Sequence, residues 1–253
     1  MRLLVKFLSI AGSFVLTSCI ISKGSNPVDP YESINRKTHK FNKVLDTIIL
    51  KPAAVVYKTI IPGFIRTGIN NAYNNVNMIP TFANDLLQAD WTNANKDAGR
   101  FVVNSTIGIG GLFDVAARYN LPERSNDLGI TFAKWGDKNS PYIVIPFLGP
   151  STIRDGMGMM FNYTFLTPYP YLDSSTLTYS LLGLRYVDLR SQMLETDRLI
   201  AESLDEYAFI RDAYLQHRNY LITGAQNQED SGSLYVDDAD EQEDASSALY
   251  VEE

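Results

Sequence analysis

The stretch Asp29–Ile48, DPYESINRKTHKFNKVLDTI, decides the fold class of this chain. Asp29 and Pro30 can begin a helix, with Asp29 as its N-cap, and Glu32 completes a pattern like a capping box. Apolar or partly apolar side chains then recur every three or four residues, at Tyr31, Ile34, Thr38, Phe41, Leu45 and Ile48. A stripe with this period predicts an amphipathic helix.

Helical patterns continue from this stretch to residue 224. Pro52 is expected to break or kink the first helix, and residues 81–104 predict one or two further helices. A long helical stretch is expected over residues 174–204, where Ser203 and Glu206 suggest a second capping box. The last helix has an apolar stripe and a C-capping glycine: Tyr207, Ile210, Tyr214, His217, Leu221 and Gly224.

The segment Lys134–Pro150, KWGDKNSPYIVIPFLGP, breaks the helical pattern. Its three prolines forbid a continuous helix, while Tyr142–Leu148 is apolar. This combination predicts an extended or hairpin-like apolar insertion between turns.

Two clusters each allow two interpretations. Five asparagines crowd the helix predicted over Phe64–Met78, namely Asn70, Asn71, Asn74, Asn75 and Asn77. They are either a solvated helix face or end, or a polar wall that faces a wet cavity. The aromatic side chains between Phe161 and Tyr171 either pack in a core or lie at the level of lipid headgroups, which tyrosine prefers.

The glycines Gly108, Gly110 and Gly111 resemble a phosphate loop only superficially. Residue 113 is Phe where a dinucleotide fingerprint has Gly, and the lysine of a P-loop is missing. These glycines are therefore predicted to be structural and to permit a bend or close packing.

The residue types that carry catalysis are few and scattered. His39 and His217 lie far apart in the sequence, and Ser151 follows Pro150 outside the Gly-x-Ser-x-Gly pattern. We expect no enzymatic activity, no catalytic residue, no metal and no cofactor; a lipase or esterase that uses Ser151 is the weakest alternative.

The amino terminus has the features of a lipoprotein signal. Arg2 and Lys6 precede the apolar run Phe7–Leu16, which has the length of a signal-peptide core and is too short for a conventional membrane-spanning helix. The run ends in Leu16-Thr17-Ser18-Cys19, which looks like a bacterial lipobox and contains the only cysteine of the chain.

Residues 1–18 are therefore predicted to be a signal peptide, and residues 19–28 a tether that is lipidated at Cys19. An ordinary secretion signal with a chance cysteine is the alternative. Ile20 stands where lipoprotein sorting reads Asp as retention in the inner membrane, so the sequence favours the outer membrane.

The carboxyl-terminal residues 225–253 are acidic and low in complexity, and we expect them to be disordered. They contain ten of the 29 acidic residues of the chain. The remainder is close to neutral and gives no basic face for a nucleic-acid partner. The sequence LYVDD at 234–238 recurs as LYVEE at 249–253, either as a duplicated scrap or as a docking motif.

Several motifs in collinear order resemble the MlaA (VacJ) lipoprotein family. They are Asp29–Arg36 (DPYESINR), Gly99–Ala116 (GRFVVNSTIGIGGLFDVA), Trp135-Gly136, Pro141-Tyr142, Pro146, Gly149-Pro150, Arg154-Asp155 and Tyr207–Gln216 (YAFIRDAYLQ). The resemblance implies an all-α, single ring-like helical domain over residues 29–224 with an irregular apolar hairpin insertion. It places this domain in the inner leaflet of the outer membrane, lipid-anchored on the periplasmic side.

The resemblance also implies a function. Such a ring encloses an amphipathic channel that removes mislocalised phospholipid from the outer leaflet and passes it to a periplasmic lipid-carrier protein, in association with an outer-membrane trimeric porin. By motif position, the channel and hairpin candidates are Trp135, Gly136, Pro141 and Tyr142. An envelope scaffold that recruits partners through the acidic tail is the alternative.

Overall fold

A computed structural model describes Gly24 and residues 26–224. In these residues the helices are α1 (Glu32–Leu45), α2 (Lys51–Ile60), α3 (Gly63–Leu87), α4 (Trp91–Thr106), α5 (Leu128–Trp135), α6 (Ile153–Phe161), α7 (Ser175–Gln192), α8 (Asp197–Glu202) and α9 (Glu206–Thr223). Two antiparallel strands, β1 (Tyr142–Ile145) and β2 (Gly149–Thr152), form a hairpin between α5 and α6. The predicted all-α class with a hairpin insertion is confirmed, whereas the lipidated tether, the signal and the tail lie largely or wholly outside the described residues.

The first helix does not end at Pro52. A π-helical turn, Asp46–Leu50, joins α1 to α2. Because proline lacks an N–H and crowds the turn before it, the wider π turn accommodates Pro52 without stopping the helix. The helix ends instead at Ile60, where Ile61 is extended ahead of Pro62.

The predicted N-cap of α1 is wrong. Tyr31 occupies the N-cap position and makes no side-chain capping bond, while Asp29 is completely buried. A fully buried carboxylate needs several hydrogen-bond donors, and Asp29 finds them in the side chains of Asn35, on α1, and Tyr207, on α9, rather than in the backbone N–H groups of the first turn of α1.

The carboxyl-terminal helices also differ in detail from the prediction. The long stretch over 174–204 is divided by a 3₁₀ turn, Met193–Glu195, between α7 and α8. The cap of α9 is Asp205, whose carboxylate accepts a hydrogen bond from the N–H of Ala208, so the box predicted at Ser203 is wrong. Gly224 ends α9 in the left-handed conformation with φ of 72°, as predicted.

Packing contacts join the elements into a closed circuit. The hairpin contacts α1, α1 continues into α2, α2 packs on α7, and α7 packs on α3. From α3 the circuit passes to α5 and α9, and α9 returns to strand β2. Helix α4 lies along α3, and α6 packs against α5. This circuit is consistent with the ring-like arrangement that the resemblance to the MlaA family implies.

The interior of the described residues is more polar, and their surface more apolar, than in most water-soluble domains. The buried side chains include many acids and amides and three arginines, among them Asp85, Asp97 and Arg218. Large apolar side chains face outward instead, and they include Ile60, 68% exposed, and Phe64, 78% exposed. Apolar patches of this extent mark contact with a membrane or a partner. In the described part of the chain, no helix combines the length and apolar character needed to cross a membrane.

Candidate functional site

A cavity of about 410 Å³, hereafter the central cavity, lies between α3, α6 and α9. Its wall is contributed by Asn77, Pro80, Thr81, Ser125, Asn126, Asp127, Pro150, Asp155, Met159, Asn162, Tyr163, Thr167, Tyr169, Tyr214 and Arg218. Amide, hydroxyl and charged groups thus share the wall with prolines, a methionine and aromatic rings. Such a lining offers surfaces both to an apolar chain and to a polar headgroup.

A cluster of paired charges forms part of this wall. Arg218 donates to both oxygens of Asp127, at 2.6 and 3.0 Å, and to Asp155 at 2.7 Å. Tyr214 donates to the other oxygen of Asp155 at 2.8 Å, and the Nε of Arg154 lies 3.1 Å from that carboxylate. The charges on the wall are therefore engaged with each other, which lets them remain in a buried place.

The pKa shifts in the cluster follow from these pairs. Burial alone would raise the pKa of Asp155, but the charge and hydrogen bonds of Arg218 and the bond from Tyr214 hold it below its usual value. Burial, and then the neighbouring Asp155, raise the pKa of the Tyr214 hydroxyl. Asp155 is therefore ionised and Tyr214 neutral at neutral pH.

Two helix starts and two glycines position the cluster. Asp127 caps α5 by accepting from the N–H of Ile130 at 2.9 Å. Helices α5 and α6 then meet backbone to backbone, because a Cβ on Gly158 would lie only 2.5 Å from the nitrogen of Gly129. A Cβ on Gly129 would in turn lie 2.3 Å from a carboxylate oxygen of Asp155. The close crossing of the two helices is what brings both carboxylates to Arg218.

A second buried cluster ties the hairpin to α1 and α9. Asp29 accepts from the amide of Asn35 at 2.8 Å and from the hydroxyl of Tyr207 at 2.5 Å. Asn35 also donates to the carbonyl of Tyr142 at 3.1 Å and accepts from the N–H of Val144 at 2.9 Å. One asparagine side chain therefore holds the first strand in register against α1.

The asparagine-rich face of α3 serves more than one purpose. Asn70 and Asn74 accept hydrogen bonds from Arg185 at 2.7 and 2.9 Å, and Asn75 is buried against α4. Asn77 lines the central cavity. Neither interpretation of this face holds for all five residues, because most of the amides bind other parts of the protein and one faces the cavity.

The comparisons with known proteins place these features in a family. A model of the family described as MlaA lipoprotein matches residues 27–221. The chain belongs to the MlaA lipoprotein family.

Individual relatives cover most of the chain. A Rickettsia bellii protein without an assigned function is 36% identical over 200 residues, which are 79% of this chain and 78% of that protein. The intermembrane phospholipid transport system lipoprotein MlaA of Escherichia coli K12 is 31% identical over 224 residues, 85% of this chain and 87% of its own. A solved structure from work on the structural basis for maintenance of bacterial outer membrane lipid asymmetry has a TM-score of 0.68 at 31% identity, covering 77% of this chain and 98% of that one.

The MlaA motifs predicted to form the channel hairpin lie around the start of β1. Trp135 is the last residue of α5, is exposed, and donates from its indole N–H to the carbonyl of Leu87 at 3.2 Å. Gly136 caps that helix with φ of 130°, and Pro141 directly precedes the buried Tyr142, which opens β1. The paired strands thus begin where this segment ends, and a role of these four residues in a channel stays a prediction.

Three of the four glycines of the MlaA motif at 99–116, Gly108, Gly110 and Gly111, lie where side chains are disfavoured. A Cβ on Gly108 would be 2.3 Å from the carbonyl oxygen of Phe113, and one on Gly111 would be 2.6 Å from Cβ of Asn75. Gly110 and Gly111 also have φ of 67° and 89°, which favour glycine. This is the close packing that a structural role requires.

The predicted inward face of α9 is right at Tyr207 and Tyr214 and one residue out at Ile210 and His217. The side chains that reach the two buried clusters are Tyr207, Arg211, Tyr214 and Arg218, while His217 is exposed. The spacing of these four residues by four, three and four was the available signal. An apolar stripe does not reveal this signal, because two of the four residues are arginines.

The candidates for enzymatic chemistry are not assembled into a site. Ser151 is buried and its hydroxyl donates to the carbonyl of Thr152 at 3.1 Å. His39 lies 3.6 Å from Glu206, and burial lowers the pKa of its imidazole. In the described part of the chain, no three His, Cys, Asp or Glu side chains could together hold a metal ion.

Proposed function

We propose that this protein is an outer-membrane lipoprotein that removes mislocalised phospholipid from the outer leaflet through its central cavity. The observation that carries the proposal is the unusual burial: many large apolar side chains face outward, while many of the buried side chains are polar and some of them line an amphipathic cavity. Outward-facing apolar side chains suit a protein that is embedded in lipid. A cavity with polar groups on its wall gives a lipid headgroup a path that avoids the hydrocarbon of the membrane.

The energetics of lipid movement explain why such a body is needed. Bringing a two-chain phospholipid into water exposes about thirty CH₂ groups, at about 0.8 kcal/mol each, so the barrier is on the order of 20 kcal/mol. Pro80, Met159 and Tyr169 offer apolar contacts to the chains, while Asn77 and Asn162 offer amides to the headgroup. A continuous wall of both kinds lowers the barrier without a source of energy in the chain itself.

The location follows from the sequence and the family. Acyl groups on Cys19 would hold the protein at the membrane, since each buried CH₂ adds to the binding free energy. Ile20 favours the outer membrane. Both residues lie outside the described part of the chain, and the lipoprotein family supports this anchoring.

The partners are proposed on the resemblance to the family. A trimeric porin would hold the domain in the outer membrane, and a periplasmic lipid-carrier protein would receive the phospholipid. The Escherichia coli relative is named an intermembrane phospholipid transport system lipoprotein. This name supports the proposal that the protein passes phospholipid on toward another membrane.

A cavity-blocking substitution tests the function. Asn77→Trp places a large ring at the wall of the central cavity from an exposed position on α3, so folding should be retained. Ile79→Trp, two residues further on the same helix, adds the same ring at an exposed site outside the cavity wall. Each variant is expressed in a strain that lacks the gene, and phospholipid in the outer leaflet and detergent sensitivity are measured.

The two variants should separate clearly. Asn77→Trp should behave like the deletion strain, while Ile79→Trp should restore a normal envelope. Restoration by both variants at equal protein level would contradict transport through the central cavity. Truncation after Gly224 should have only a mild effect; complete loss of function on truncation would favour the scaffold alternative instead.

A further inference from the structure

A second, larger cavity opens on the outside of the protein, away from the charged cluster. This α3 groove has a volume of about 730 Å³ and lies between the amino-terminal turns of α3 and the segment 107–118. Its apolar wall consists of Phe64, Ile65, Ile69, Ile107, Leu112 and Phe113. The volume falls in the range of about 300–1,000 Å³ that is typical of ligand sites.

The α3 groove is continuous with the apolar exterior. Phe64, Ile107 and Phe113 line it and are also largely exposed. Gly68 forms part of its floor, and even a Cβ there would stay 3.5 Å from the carbonyl of Leu112. A chain that lies in the surrounding hydrocarbon could therefore enter the groove sideways, without crossing a polar barrier.

The polar groups of the α3 groove leave one unpaired charge. Asp114 accepts from Arg100 at 2.7 Å and from Asn104 at 3.1 Å, and its own charge is thereby engaged. Asn71 donates to the carbonyl of Leu112. Arg118 is exposed, and its guanidinium has no hydrogen bond or ion pair with any residue that the structure describes.

We propose that the α3 groove holds an acyl chain of a membrane phospholipid, with the lipid phosphate against Arg118. An apolar trough with one free cation at its edge complements an amphiphile with a negative head. A bound peptide would instead need partners for its own N–H and C=O groups, and the amide and the carboxylate of this wall are already engaged. The proposal rests on the proposed function only for the membrane location, and it adds a lipid site separate from the central cavity.

Photo-crosslinking tests the occupant. The full-length protein is placed in vesicles of phosphatidylglycerol and phosphatidylethanolamine that carry a phosphatidylglycerol with a photoreactive group on one acyl chain, and adducts are mapped by mass spectrometry. Adducts are expected on residues 64–69 and 107–115. Gly68→Leu fills the groove with a residue that favours helix, so it should lower these adducts several-fold. Gly183→Leu, at an open and exposed position of α7, should leave them unchanged.

The charge is tested in the same vesicles. Arg118→Gln should lower the groove adducts several-fold, while Lys96→Gln, which removes another exposed cation, should not. Absence of adducts from both segments, or equal adducts in wild type and Gly68→Leu, would overturn the proposal. Adducts that appear only after Cys19→Ala would show that the protein's own acyl chains fill the groove, which also overturns it.

The outcome is independent of transport through the central cavity. Groove adducts that persist when Asn77→Trp has lost function would support two separate lipid sites. If no adducts form in the groove of a protein that still maintains the envelope, the lipid site in the α3 groove is overturned while the proposed function is not.

Discussion

Replacing Asp97 by asparagine should remove a pH dependence from the stability of this protein. Asp97 and Asp85 are both buried, on facing turns of α4 and α3, and Arg124 is their common cation. Its Nη1 lies 3.2 Å from an oxygen of Asp97 and 3.6 Å from one of Asp85. Burial, and then the hydrogen bond with Asp85, raise the pKa of Asp97 to about 7, although Arg124 works in the opposite direction. Asp97 is therefore protonated below that pH.

The size of the effect follows from proton linkage. In the unfolded chain an aspartate titrates near pH 3.9, so between roughly pH 4 and pH 7 the folded state binds one proton more than the unfolded state. The free energy of unfolding then falls by about 1.4 kcal/mol per pH unit across this interval and becomes level above it. A folded pKa that is raised for an acid therefore means stability that is present at low pH and lost as pH rises.

The substitution keeps the geometry and removes the proton. The new amide can donate to Asp85 at every pH, and its oxygen can still accept from Arg124. Unfolding by urea is followed by tryptophan and tyrosine fluorescence in detergent, at half-unit steps from pH 5 to 8. Relative to wild type, Asp97→Asn should gain about 1.4 kcal/mol per pH unit up to about pH 7. Asp173→Asn, at an exposed carboxylate, is the control and should run parallel to wild type. Parallel curves for wild type and Asp97→Asn would refute the raised pKa of Asp97.

Three further substitutions test packing, anchoring and the exterior. Gly158→Ala should destabilise the fold by about 1–3 kcal/mol, because the new Cβ meets backbone at 2.5 Å. The control Gly183→Ala, at an open position of α7, should stabilise the fold slightly. Urea unfolding measures both variants, and equal effects would contradict the close crossing of α5 and α6. Asn35→Ala leaves a buried carboxylate and the hairpin backbone short of partners, each at about 1–3 kcal/mol, and hydrogen exchange of the β1 amides should speed up; unchanged exchange would refute the anchor. Ile60→Glu, at a 68% exposed site, should weaken binding to vesicles in a flotation assay while stability in urea stays the same, and undiminished flotation would count against a membrane-facing exterior.

The helical class was predictable because it depends on local patterns. The amphipathic period of α1, the proline before α3 and the glycine after α9 each act through their own backbone. The hairpin was predictable for the same reason, since the prolines around Tyr142 exclude a helix locally. The resemblance to the family added the order of the motifs and the closed circuit.

The interior was not predictable from the same rules. They assign charged side chains to the solvent, whereas Asp29, Asp97 and Arg218 are buried here. For this reason the local rules predict a helix cap at Asp29, and on α9 they predict Ile210 and His217 where Arg211 and Arg218 reach the buried clusters. Whether a carboxylate is buried depends on donors that come from distant segments, such as Tyr207 for Asp29, and no local pattern contains that pairing.

The wall of the central cavity was not predictable for the same reason. Asn77, Asp127, Asp155 and Arg218 come from four elements spread over most of the chain. Only the crossing of α5 and α6 at Gly129 brings three of them together. Sequence motifs at Arg154-Asp155 marked one part of the wall, but its function as a wall depends on tertiary packing.

The outward-facing apolar side chains have a consequence for how the protein reaches its destination. A domain with exposed apolar side chains such as Phe64 and Ile60 has low solubility in water. Copies of it would aggregate during any passage through an aqueous compartment. A chaperone that covered only the proposed acyl anchor would leave this apolar surface exposed to water. We therefore expect delivery to need a chaperone whose hydrophobic pocket is large enough to cover the exposed helix surfaces as well as the acyl chains. We also expect the chaperone to release the protein only at the membrane that receives it.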